Sequence, residues 1–128
     1  MGFGANLITE KLKATPAILA LVETFVTQPA IWFDTICPTD FKGTESINFY
    51  LTSPVNGGLE FGLYNYTINC RSKTHNGAKT LQNTVFTALN RKLPNSERGI
   101  FNCNALQVIS PSSEDDTYNA PVEAKVKQ

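Results

Sequence analysis

The single histidine and the three cysteines are the residues of this chain best suited to nucleophilic chemistry. His75 and any one of Cys37, Cys70 and Cys103 form a Cys–His pair wherever a fold brings them together, because such pairs meet in space and not in sequence. The local context argues against it. His75 stands between Thr74 and Asn76 at the expected start of a helix, where an exposed histidine in a capping region is the plain reading. The cysteines show no C-x-x-C spacing, and each falls within or at the end of an expected strand, so they read as small buried hydrophobes. Three scattered thiols and one imidazole are also too few for a zinc site. Asp115 and Asp116 are adjacent on a Ser-rich turn; neighbouring carboxylates can hold a cation, but a solvated loop explains them more simply. No catalytic residue, metal or cofactor is expected, and the chain reads as a non-enzyme.

The elements that position these residues centre on a long strand, Leu59 to Arg71, running into a helix, Thr74 to Lys92. The strand is rich in aromatic and β-branched residues. Its alternation changes phase, with Leu59, Phe61 and Leu63 on one face and Tyr64, Tyr66, Ile68 and Cys70 on the other, and Gly62 is the natural place for the bulge this requires. The helix carries Ala78, Leu81, Val85, Ala88 and Leu89 as one apolar stripe, and Pro94-Asn95 stops it.

Upstream, residues 1–4 read as a loose tail and Ala5–Ala14 as an amphipathic helix burying Leu7, Ile8 and Leu12. Thr15 as N-cap and Pro16 at the first helical position open a second helix reaching about Thr24, with Ile18, Leu19, Leu21 and Val22 largely buried. Ile31–Cys37 is strand-like with ambiguous faces, because Trp32 and Phe33 are adjacent. Ser46–Thr52 is a clearer strand with Ile47, Phe49 and Leu51 on one side, and Asn56-Gly57 marks a hairpin turn after it. Gly99 onward forms a second hairpin closed through Ser110–Asp116. Its last strand places Tyr118, Ala120, Val122, Ala124 and Val126 on one face, and Pro121, which cannot donate to a ladder, marks it as an edge strand or one with an irregular start. The order gives an α+β fold in one domain spanning residues 1–128. A mostly antiparallel sheet of four to five strands has two short N-terminal helices and one longer helix packed on one face.

At 14.1 kDa with 17% charged residues, the chain must clothe its surface largely in neutral polar groups, supplied by Asn and Thr. The formal net charge is zero, which argues against general nucleic-acid binding. The distribution is uneven. Between Arg71 and Arg98 lie Arg71, Lys73, Lys79, Arg91, Lys92 and Arg98 against one acid, Glu97, a balance of +5, so the remainder carries −5, including Glu114, Asp115 and Asp116. Opposite patches favour head-to-tail association between copies. A solvated helix face and an acidic loop would account for the same charges.

The hairpin tip Pro54, Val55, Asn56, Gly57 and Gly58 and the loop Pro111, Ser112, Ser113 to Asp116 are candidate partner contacts, being polar and at strand ends. A small nucleic-acid-binding module or another non-enzymatic binding module is the alternative function. Tyr64 and Tyr66 beside Arg71 and Lys73 would then be stacking platforms, unless the helix covers that face and makes both tyrosines core. The N-terminus lacks a basic n-region and long apolar core, Asn6 breaks the myristoylation pattern, and the run Ala17–Val22 is too short to span a bilayer. No membrane association is expected.

With this element order, the chain resembles the tail terminator (tail completion) proteins of long-tailed bacteriophages. The likeness runs from about Leu7 to Lys127, through the paired N-terminal helices, the Ile47–Leu51 and Leu59–Arg71 strands, the Ala78–Leu89 helix and the closing pattern Asp116-Thr117-Tyr118-Asn119-Ala120-Pro121-Val122-Glu123-Ala124. The resemblance implies a virion protein, made in the host cytoplasm, that forms a hexameric ring on the head-proximal end of the tail tube. Such a ring stops tube polymerisation and joins the filled head, so its partners are the tail tube protein and a head-completion or connector protein. On that reading Lys79, Arg91 and Lys92 of one subunit face Glu114, Asp115 and Asp116 of its neighbour.

Overall fold

Strand β5 (Leu63–Ser72) lies in the middle of a five-stranded sheet and is flanked by β4 (Ser46–Pro54) and β7 (Tyr118–Lys127). The structure, a computed structural model, describes residues 3–25, 27–33, 45–54, 63–89, 99–111 and 117–127. The sheet order is β3-β4-β5-β7-β6, with β3 at Ile31–Phe33 and β6 at Gly99–Ala105. Only the β3–β4 pairing is parallel; β4–β5, β5–β7 and β6–β7 are antiparallel, as the sequence pattern implies. The expected bulge at Gly62 lies outside the described residues.

One face of the sheet is inward. It carries Ile47 and Phe49 from β4, Tyr66, Ile68 and Cys70 from β5, and Ala120, Val122, Ala124 and Val126 from β7, all buried. This is the alternation read from the sequence. Against it pack helix α1 (Phe3–Lys13) through Ile8 and Leu12, the single turn α2 (Pro16–Leu19) through Ile18, and helix α3 (His75–Leu89) through Ala78, Leu81, Val85 and Leu89. Phe33 also turns inward, its ring 5.2 Å from that of Phe49, which settles the ambiguous faces of β3.

Several expectations fail for identifiable reasons. Phe3 and Gly4 belong to α1 and not to a loose tail. The second helix ends at Leu19, because Thr24–Phe25 (β1) leaves to pair antiparallel with Gln28–Pro29 (β2), turning through Thr27 at φ +66°. Leu19 is accordingly exposed. Thr15 sits at the N-cap position, yet its hydroxyl donates back to the Lys11 carbonyl at 2.8 Å, closing α1 instead of capping α2. Leu51 is 43% exposed, at the point where the β4–β5 register shifts.

The largest correction concerns β7, which is no edge strand but lies between β5 and β6. The Pro121 carbonyl accepts from Leu106 N–H, so the Pro121 backbone polar group faces β6, away from the β5 ladder. Its missing N–H is therefore lost where β6 has just ended. The side chain of Gln82 on α3 supplies a donor there: Nε2 reaches the Leu106 carbonyl at 2.6 Å and the Pro121 carbonyl at 2.8 Å. A buried glutamine repairs the ladder that proline leaves short of a donor.

Candidate assembly surfaces

Of the residues singled out for nucleophilic chemistry, the two described thiols are buried and the histidine is exposed. Cys70 is wholly buried beneath α3 and Cys103 nearly so. Burial pushes the Cys103 thiol up to about 11 and raises that of Cys70 as well. Both are therefore protonated near neutrality and poor nucleophiles. Cys37 lies outside the described residues. His75 is the first residue of α3, exposed, with its ring edge-on to Tyr118 at 5.7 Å. Among the described residues no three His, Cys, Asp or Glu side chains converge in a way that would hold a metal ion.

The proposed stacking platform does not form. Tyr66 is 5% exposed and packs among Phe33 and Phe49, while Tyr64 is half-buried against the same core. The helix covers that face of β5, so an unstacked base cannot reach both rings.

The other face of the sheet is polar. Asn48 and Tyr50 on β4, Thr67, Asn69 and Arg71 on β5, and Asn119, Glu123 and Lys125 on β7 alternate with the inward set and align across the strands. Asn119 Nδ2 donates to Asn69 Oδ1 at 3.2 Å, and the Thr52 and Thr67 hydroxyls hydrogen-bond at 2.5 Å. Among the described residues, the buried side chains of all three helices join the inward set, and none joins this one. Its amides and hydroxyls, interspersed with Arg71, Glu123 and Lys125, offer hydrogen-bonding groups of the kind found in extended contacts between polar protein surfaces.

The end of β5 is tied down by a carboxylate that sequence reasoning passed over. Glu45 Oε1 accepts from the Ser72 hydroxyl at 3.2 Å and from Lys73 N–H at 3.3 Å, while the Glu45 N–H donates to Glu23 Oε2 at 3.1 Å. Thr74 then caps α3, its hydroxyl accepting from Gly77 N–H at 3.0 Å. A negative group beside the start of α3 is electrostatically favourable. Gly77 is required here, since a Cβ would stand 2.3 Å from Ser72 Oγ. No local motif signals Glu45, because its partners lie 27 and 28 residues away.

Of the charged residues assigned to a subunit contact, Lys79 is exposed on α3. Arg91, Lys92, Glu114, Asp115 and Asp116 lie outside the described residues. Arg71 does not belong to the helix surface: it is half-buried on β5, where Nε and Nη2 both donate to Thr117 Oγ1 at 3.2 and 3.1 Å. Of the candidate loops, Pro54 ends β4 and Pro111 is exposed after β6; Val55, Asn56, Gly57, Ser112 and Ser113 lie outside the described residues.

No helix among the described residues is long and apolar enough to cross a membrane. No protein-family model matches the chain, and no curated protein sequence matches it. Among solved structures, the fold is similar to that of a chain in the virion of a native gene transfer agent (GTA) particle, with a TM-score of 0.58 and 16% identity over 100% of both chains.

Proposed function

We propose that this chain is a structural virion protein that closes the head-proximal end of a phage tail tube as a ring, stopping tube growth and offering the surface that joins the head. The observation that carries the reading is the end-to-end likeness of fold to a chain of a virion particle, over the whole length of both. The polar sheet face, onto which no buried apolar helix side chain packs among the described residues, and the burial of both described thiols support it, since they favour surface contact over chemistry. In this reading Lys79, Arg91 and Lys92 meet Glu114, Asp115 and Asp116 of the next copy. The stretches Pro54–Gly57 and Pro111–Ser113 meet the tail tube protein or the head connector.

Light scattering behind a sizing column, over a concentration and salt series, tests it. The expected species has six times the 14.1 kDa of one chain and loosens as salt rises. Reversing charge at Lys79 and Arg91 is expected to weaken the ring, with full recovery when acids of the 114–116 loop are reversed in the same chain. A chain that stays monomeric and also leaves purified tail tubes growing would overturn the reading.

A further inference from the structure

We propose that Asn76 is a covalent modification site gated by the first turn of α3: it stays asparagine while that turn is closed and becomes aspartate or isoaspartate once the turn opens. The inference goes beyond the ring reading and does not depend on it. Asparagine is among the heat-labile residues. An Asn-Gly step is the most open to this chemistry, because no side chain shields the glycine nitrogen and its backbone turns freely. The step occurs twice in the sequence, and Asn56-Gly57 lies outside the described residues. Asn76 and Gly77 are the second and third residues of α3. Space favours glycine there, since a Cβ would stand 2.3 Å from Ser72 Oγ and 2.8 Å from Thr74 Oγ1. Asn76 is exposed and borders a cleft with Glu45, Ser72 and Thr80, so water reaches it.

In the reaction the Gly77 backbone nitrogen gives up its proton and attacks the side-chain carbonyl carbon of Asn76. The N–Cγ bond forms as the Cγ–Nδ2 bond breaks, and the amide leaves as ammonia carrying the proton. A cyclic succinimide remains. Water then adds to one or other carbonyl of that ring and reopens it, giving aspartate by one route and isoaspartate by the other. Attack demands a released nitrogen brought into line with the carbonyl carbon. The closed turn denies both. Gly77 N–H donates to Thr74 Oγ1 at 3.0 Å and Ala78 N–H to the Thr74 carbonyl at 3.0 Å, which holds the Asn76–Gly77 peptide on the helical path. Glu45 anchors the residues just before it, accepting from the Ser72 hydroxyl and Lys73 N–H. The gate is local, because element ends open more easily than the fold as a whole. The two products differ. Aspartate near the start of a helix is favourable. Isoaspartate puts an extra carbon into the main chain, so the first turn cannot re-form as it was. A chain that has opened there is then marked irreversibly.

The test uses the full chain. Trypsin cuts after Lys73 and Lys79 and releases residues 74–79 as one peptide, so mass spectrometry of that peptide reads the exchange of ammonia for water at Asn76. Folded chain and chain unfolded in guanidinium are aged side by side at one pH and temperature. Conversion at least about tenfold slower in the folded chain is expected. Equal rates overturn the inference. Thr74→Ala removes the hydroxyl that holds Gly77 N–H, and circular dichroism verifies that the variant folds. Relative to its own unfolded rate, the folded variant is expected to convert about fivefold faster than wild type, the factor that a lost N-cap makes in a local opening. Thr74→Ser, which keeps the hydroxyl, is expected to age as slowly as wild type. A folded Thr74→Ala chain that ages no faster than wild type overturns the gate. Should Thr74→Ala not fold, the folded and unfolded wild-type rates decide by themselves. The ring reading stands or falls on the native mass, which none of these rates measures.

Discussion

The two faces of the central sheet are built from the same strands, residue by alternate residue, and they do opposite work. On β5, Tyr66, Ile68 and Cys70 are buried under α3, while Thr67, Asn69 and Arg71 look away from the helices. On β7, Ala120, Val122, Ala124 and Val126 are fully buried, while Asn119, Glu123 and Lys125 share the polar side. The inward face repeats a few apolar types and sets stability through close packing. The outward face mixes neutral amides and hydroxyls with the longer charged side chains of Arg71, Glu123 and Lys125. The comparison separates residues whose loss should unfold the chain from residues whose loss should leave it folded and change what it meets.

Neighbouring positions on β5 break or sharpen that division most directly. Ile68→Ala is expected to cost about 2–5 kcal/mol, because it removes buried methylenes and leaves a cavity. Its neighbour Thr67→Ala removes one exposed hydroxyl pair with Thr52 and is expected to cost about 1 kcal/mol or less. Urea unfolding of the two variants would measure the gap, and equal losses would mean that the polar face is as much a part of the core as the other.

Gln82 tests the border between the faces. Gln82→Leu preserves volume but removes the donor to the Leu106 carbonyl, while the Pro121 carbonyl keeps the Leu106 N–H; a loss of about 1–3 kcal/mol is expected. In a Pro121→Ala background the restored backbone N–H can serve Leu106, so the same Gln82→Leu change should cost about 1 kcal/mol less. Additive losses in that double-mutant cycle would show that the glutamine does not substitute for the proline's missing donor. The smallest effect is expected away from both faces, at the β1–β2 turn. Thr27→Gly relieves a β-branched residue at φ +66° and should raise stability by roughly 1 kcal/mol, visible as a higher Tm.

What the sequence makes legible follows from what acts locally. The period-2 patterns Ile47–Phe49 of β4, Tyr66–Cys70 of β5 and Ala120–Val126 of β7 and the stripe Ala78–Leu81–Val85–Leu89 are each set by which side must be dry and fold as written, whereas Leu51 of β4 is exposed at the register shift. Pro121 admits either an edge strand or an irregular start when read by its own missing N–H, and the interior place of β7 depends on Gln82, 39 residues away. The stop of α2 at Leu19 depends on β1 finding β2, and the anchoring of β5 depends on Glu45 reaching Ser72; neither partner is marked by composition or spacing. The candidate surfaces are less legible still. Lys79 sits where a solvated helix residue would sit in any event, and the border position of β6 becomes visible only once the sheet order is known.

The place of β7 also dictates an order of events. It follows β5 and β6 in the chain, so it leaves the ribosome after both, yet it must lie between them. Until it emerges, β5 has its other neighbour, β4, within reach, but the borders that will flank β7 are unsatisfied on two separate pieces of chain. Closing the sheet is therefore a late insertion spanning a long loop, the kind of non-local step that slows folding. Where many copies are made at once, that interval is when an unfinished chain is most exposed to pairing with the wrong neighbour.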